Sequence, residues 1–151
     1  MPVSSRRRAP SPCPEESVFV EMARTLDLLS RAPDQLLRAA DLSGPQYNVL
    51  RILRGAPEGL LCGQIAERMI TRDPDITRLL NRLEKRGLVA RFRQKQDQRR
   101  VLVRIAQKGL ALLARLDRPV CRIHRGQLGH LGSGRIRQLE SLLRACRPPA
   151  K

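Results

Sequence analysis

Between Asp73 and Gly87 the chain carries a short amphipathic helix that is punctuated at both ends. Asp73-Pro74 supplies an N-cap acceptor and a proline at the first helical position, and Gly87 ends the helix after Arg86. Ile76, Leu79, Leu80 and Leu83 recur at i, i+3, i+4 and i+7 and form one buried stripe. At about 100° per residue the opposite face presents Pro74, Arg78, Asn81 and Lys85, flanked by Thr77 and Arg82. The stripe requires a second element behind it. Ile65, Ala66 and Met69 provide one, a one-sided helix over residues 63–69, joined to the first by the turn Ile70-Thr71-Arg72. Two short helices with a tight turn, the second basic and polar on its outer face, have the form of a helix-turn-helix.

Beyond Gly87, Leu88 to Arg93 and Val101 to Ile105 are β-rich runs, and the pattern predicts an antiparallel hairpin whose long tip spans Gln94 to Arg100. The tip region concentrates Arg93, Lys95, Arg99 and Arg100 around one acid, Asp97. A carboxylate facing a polyanion costs binding unless it organises a cation, so Asp97 is expected to orient Arg99 or another tip arginine.

Charge gives these two features a common partner. Lys and Arg number 30 against 14 Asp and Glu, a formal net charge of +16, far beyond what solubility requires. Residues 68–104 alone hold twelve basic and four acidic side chains, so half of the excess lies in the helix pair and hairpin. A solvated basic face is the bland explanation; its coincidence with an outward-facing helix favours double-stranded DNA. Arg78 and Arg82 have the fork that pairs with guanine, Asn81 suits adenine, and Thr77 suits a phosphate or a thymine methyl. Tip arginines suit the minor groove or phosphates.

The remaining chain is divided by its breaks into a basic arm (1–14), an N-terminal helical segment (15–41), the helix-turn-helix with its hairpin (42–106), C-terminal helices (107–147) and a tail (148–151). The arm holds four prolines and Arg6, Arg7 and Arg8, and its composition predicts disorder. From Glu15, Val18, Phe19, Met22, Leu26 and Leu29 mark a helix that Pro33 is expected to kink or interrupt. Ser43 is placed to cap the helix carrying Tyr47, Leu50 and Leu53, and Leu60-Leu61 form a short extended pair. Gly109 opens a helix with Leu113, Leu116, Val120 and Ile123, in which Pro119 predicts a bend or an offset start. After the break Leu131 to Gly134, a last helix carries Ile136, Leu139, Leu142 and Leu143. These terminal stripes exceed what one chain can cover, which argues for a homodimer.

The stretches Leu42-Ser43-Gly44-Pro45-Gln46-Tyr47-Asn48-Val49-Leu50, Ile65-Ala66-Glu67, Ile76 to Val89, and Asp97-Gln98-Arg99 with Val103, Ile105 and Gly109 resemble the MarR family of regulators, named after multiple antibiotic resistance. That resemblance covers residues 42–113 well and the flanking helices by pattern. It implies a mainly α fold with a small β-hairpin wing, a winged helix-turn-helix flanked by dimerisation helices. It also implies a homodimeric transcription regulator, a repressor, on an inverted-repeat operator. Pro74, Asp75, Thr77 and Arg78 then match the base- and phosphate-reading start of the recognition helix, with Asn81, Arg82 and Lys85 along it. Arg99 then matches the wing arginine and Asp97 its aspartate partner, with Arg93, Lys95 and Arg100 beside them by the charge of the tip. The resemblance further implies release by a small lipophilic compound or an oxidant. Ala106 stands where the family usually has threonine, a departure that removes a local cap.

Other functions find less support. Cys62 falls at a helix N-terminus and is a candidate redox thiol, although a small inert core residue fits the same place. Cys121 and His124, with Cys146 or His130, make too sparse a set for a metal, and no cofactor is expected. The chain has no glycine-rich phosphate loop and no plausible Ser-His-Asp set, so an enzyme is not expected. No apolar stretch is long enough to span a bilayer, and the expected location is the bacterial cytoplasm, on the nucleoid DNA. The competing class is an architectural DNA binder without a defined operator, which the overall charge alone would satisfy.

Overall fold

The computed structural model describes residues 13–72 and 75–148; the arm up to residue 12, the Asp73-Pro74 pair and residues 149–151 lie outside the described residues. Helix α1 (Pro14–Ala39) is followed by α2 (Gly44–Arg54), strand β1 (Leu60–Leu61), α3 (Cys62–Arg68), α4 (Ile76–Lys85), β2 (Val89–Gln94), β3 (Asp97–Ile105), α5 (Gln107–Leu128), a single 3-10 turn (Gly129–Leu131) and α6 (Gly132–Ala145). The fold is mainly α with one small antiparallel sheet of order β1-β3-β2. Its core gathers the helix pair and the sheet: Leu50 and Leu53 of α2, Ile65 of α3, Leu80 and Leu83 of α4, Leu88 just before β2, Val103 of β3 and Leu113 of α5 are all fully buried.

Local chemistry explains most boundaries. Ser43 caps α2 through a reciprocal box: its hydroxyl accepts from the Gln46 backbone N–H at 3.2 Å, while Gln46 Oε1 accepts from the Ser43 N–H at 2.9 Å. Gly87 closes α4 at a φ of 69°, and the Leu88 N–H donates back to the Leu83 carbonyl at 3.0 Å, an ending that favours glycine. As expected from Ala106, the start of α5 has no side-chain cap.

Four boundaries differ from expectation. Helix α1 begins at Pro14, inside the expected arm, because Cys13 Sγ accepts from the Glu16 N–H at 3.4 Å and Pro14 takes the first turn. The same helix runs unbroken through Pro33. Proline removes the N–H that would have bonded the Leu29 carbonyl; the Gln127 side chain of α5 donates to that oxygen instead, at 2.9 Å. Helix α5 likewise continues through Pro119 and begins at Gln107, so the offset start does not occur. The expected break over 131–134 is narrower than anticipated: α6 already starts at Gly132, whose φ of 75° makes the turn.

The helix-turn-helix is tied to the long helices by two ion pairs. Arg54, in the last turn of α2, grips Asp117 of α5 with contacts of 2.8 and 3.1 Å, and Arg86 at the end of α4 reaches the Asp41 carbonyl and, at 3.6 Å, its carboxylate. The hydrogen bonds from Arg54, with its charge and that of Arg51, hold the Asp117 carboxyl below the usual carboxylate range. A depressed folded pKa stabilises above the unfolded value, and the contribution is lost as pH falls through the folded one. Asp117→Asn should therefore cost at most about 1 kcal/mol near neutral pH, screened because the pair is partly exposed. The difference from wild type should begin to shrink as pH falls through about 4, the unfolded value, and be gone only in stronger acid, below the folded pKa. Urea unfolding at the two pH values checks this; a constant difference would contradict it.

Candidate nucleic-acid interface

The outward face of α4 is built as its periodicity requires. Leu79, Leu80 and Leu83 are buried, whereas Thr77, Arg78, Asn81, Arg82 and Lys85 are exposed. The helix starts two residues later than expected: Asp75, rather than Asp73, is its N-cap, with its carboxylate accepting from the Arg78 backbone N–H at 2.9 Å. Asp75 directly precedes the first helical residue, Ile76, and its carboxylate meets the N–H of the third, which is the N-cap geometry. Asp75 is thus a structural cap. Pro74, expected at the start of this helix, lies outside the described residues.

Among the described residues neither Arg78 nor Arg82 is paired with an acid. Both line a cleft of about 240 Å³ between α4 and the N-terminal end of α2, with Ser43, Pro45 and Gln46 opposite. The turn ahead of α4 is pinned from behind, because Asn48 Oδ1 on α2 accepts from the Ile70 N–H at 2.8 Å. Asn81 lies on the other flank of α4. Its Oδ1 accepts from Arg91 Nη1 of β2 at 2.7 Å, and the same nitrogen meets Glu84 Oε2 at 2.7 Å.

The hairpin tip is tighter than expected. Gln94 pairs with Asp97, so only Lys95 and Gln96 form the turn, and the register slips so that Arg93 faces Val101 and residues 98–100 bulge out of β3. The bulge carries Arg99 and Arg100, both exposed, beside exposed Arg93 and Lys95. Asp97 acts on Arg99 through the main chain: its Oδ1 accepts from the Arg99 backbone N–H at 3.0 Å, which shapes the bulge and leaves the guanidinium outward. Arg104 is held within the wing, 4.0 Å over the Phe92 ring and donating to the Glu58 carbonyl at 3.0 Å.

The sequence reading missed Arg91, Asn48 and the two ion pairs. Arg91 had a signal: it shares the strand parity of buried Val89, so its guanidinium had to find partners near the core side. Cys62 is the first residue of α3, half-buried against the core. Among the described residues no group of three metal-ligating side chains is gathered, and no helix is long and apolar enough to cross a membrane.

Known proteins share this arrangement. A model of the MarR family matches residues 42–101. The chain is 38% identical over 87 residues to the HTH-type transcriptional regulator TtmR of Methylorubrum extorquens, and 30% over 101 residues to the HTH-type transcriptional regulator PecS of Dickeya dadantii. These matches take in 58% and 66% of this chain but only 44% and 61% of the two relatives, so the chain spans about half the length of the curated relatives it matches. Both relatives are transcriptional regulators of the helix-turn-helix type. Among solved structures, the S. aureus MepR-DNA complex shares the fold at 22% identity and a TM-score of 0.72, over 87% of this chain and 94% of that one. The MarR transcription factor from Planctomyces limnophilus is 37% identical, covering 91% of this chain and 99% of that one with a TM-score of 0.67. With a family model on the helix pair and wing, and a MarR transcription factor 37% identical that the chain covers over nearly its whole length, the chain belongs to the MarR family.

Proposed function

We propose that the chain is a sequence-specific, double-stranded DNA-binding transcription regulator, a repressor, that acts as a homodimer on an inverted-repeat operator. The observation that carries this is the pair of arginines, Arg78 and Arg82, that no acid among the described residues pairs, on the outer face of a helix braced from behind, flanked by a wing whose bulge turns Arg99 and Arg100 outward. Packaging DNA needs only charge; a braced helix with an ordered outer face suits the major groove. The exposed apolar residues Val18, Phe19, Leu26 and Leu28 of α1, and Leu139, Leu142 and Leu143 of α6, support pairing of two copies through segments 15–41 and 107–147. Its place is the cytoplasm, with the DNA.

For release, a small lipophilic effector fits the cleft of about 460 Å³ between the end of α1 and α5, lined by Ala39, Ala40, Leu112 and Leu116 with Asp41 and Arg115. That cleft adjoins the Arg86–Asp41 pair, so an occupant would act on the tie between reading helix and arms. Cys62 is the alternative input, through oxidation. The operator proposal is tested by selection from random duplexes, which should return an inverted repeat with half-sites about one helical turn, or roughly 10 base pairs, apart. Recovery of duplexes with no shared motif would make the protein an architectural binder.

A further inference from the structure

The contact between Arg91 and Asn81 changes what α4 can read. Asparagine recognises adenine with both ends of its amide, accepting from N6–H at Oδ1 and donating from Nδ2 to N7. Here Oδ1 is occupied. Arginine is a donor only, so the amide must turn its oxygen toward Arg91, 2.7 Å away, and its Nδ2 away from it. The contact is braced from both sides: Glu84, one turn further along α4, holds the same guanidinium nitrogen at 2.7 Å, and β2 carries Arg91 on the face it shares with Val89. Oδ1 retains a second lone pair, but another donor reaching it would have to settle beside a cation already within hydrogen-bond distance.

We propose that Arg91 is a positioning residue that makes Asn81 a donor-only reader, so that the base pair met by Asn81 is selected for an acceptor edge, guanine or thymine, and against adenine. Arg91 touches no base in this scheme; it acts by holding Asn81. The inference rests on the proposal that α4 enters the major groove, and it adds which edge one residue recognises there. The acceptors within the reach of a single amide donor are guanine O6 and N7, thymine O4 and adenine N7; at adenine the neighbouring N6–H2 is then left without the oxygen it would have met and lies toward the Arg91 cation, which sets adenine below the other two.

The test is selection from random duplexes with the full-length wild type, Asn81→Ala, Arg91→Met and Arg91→Lys, each first checked for folding by circular dichroism. Asn81→Ala should flatten one position in each half-site, and in the wild type that position should favour guanine or thymine. Arg91→Met should admit adenine there, raising its frequency about tenfold, with the rest of the motif retained, and Arg91→Lys should restore the original preference. A merely structural loss would weaken every position together. Adenine already preferred at that position in the wild type, no position altered by Asn81→Ala, or an Arg91→Met motif identical to the wild type would each overturn the proposal. Should Arg91→Met fail to fold, the base preference lost in Asn81→Ala decides alone. A wild-type selection without any motif would end the operator proposal itself and this one with it, whereas a clear motif with adenine at the Asn81 position ends only this one.

Discussion

Gly109→Ala is expected to destabilise the protein by about 1–3 kcal/mol, although alanine is the better helix former. Gly109 lies in the first turn of α5, where the chain leaves the wing, and an added methyl carbon would sit 2.4 Å from the Leu88 carbonyl oxygen and 2.8 Å from Ile105 Cγ1. The nearer obstacle is backbone that already accepts the Ala106 N–H at 2.9 Å, so it cannot swing aside as a side-chain tip would. Either α5 shifts away from the sheet or that bond breaks. Helix propensity returns at most about 1 kcal/mol, less than the combined strain and lost hydrogen bond. Gly63→Ala is the matched control: nothing lies within 4 Å of its added carbon, and its stability should be equal or higher. Thermal unfolding at one fixed protein concentration compares them, and Gly109→Ala melting at or above wild type would contradict the account.

Close approach of this kind is the sort of fact a sequence conceals. The stripe of α4 was legible because its four apolar positions share one helical face, and the Ser43 and Gly87 boundaries because capping is decided within a few residues. The passage of α1 through Pro33 was not legible, since the missing donor is replaced by Gln127 from the far end of α5. The same reason hid Arg54–Asp117 and Arg86–Asp41: each joins residues brought together only by the finished fold.

Within the site, charge misled where it was taken for structure. The polar run 94–100 resembled a long loop, yet hairpin strands facing solvent tolerate such residues, and Asp97 to Arg100 belong to β3. The organising role of Asp97 was legible in kind but not in detail, because a short carboxylate reaches the N–H two residues on more readily than a guanidinium. Asn81 was recognised as exposed and polar, while the cation that governs its chemistry stands on another element.

The different positions of Arg78 and Arg99 lead to different expected losses. Arg78 projects from a braced helix whose first turn is fixed by its own backbone bond to Asp75, so its fork is carried on a rigid element suited to a base edge. Arg78→Ala should lower affinity for the selected operator by roughly tenfold to a hundredfold, corresponding to about 1–3 kcal/mol, and affect unrelated duplexes much less. Arg99 stands on a bulge shaped by Asp97, suited to phosphates or a narrow minor groove. Arg99→Ala should weaken operator and unrelated duplexes alike and reduce the slope of log affinity against log salt by about one. Both measurements come from one titration series at several salt concentrations on two duplexes. Their value lies in the contrast, since a protein that binds by charge alone would lose affinity for both duplexes equally with either arginine, and the salt slope would fall by the same amount in each variant.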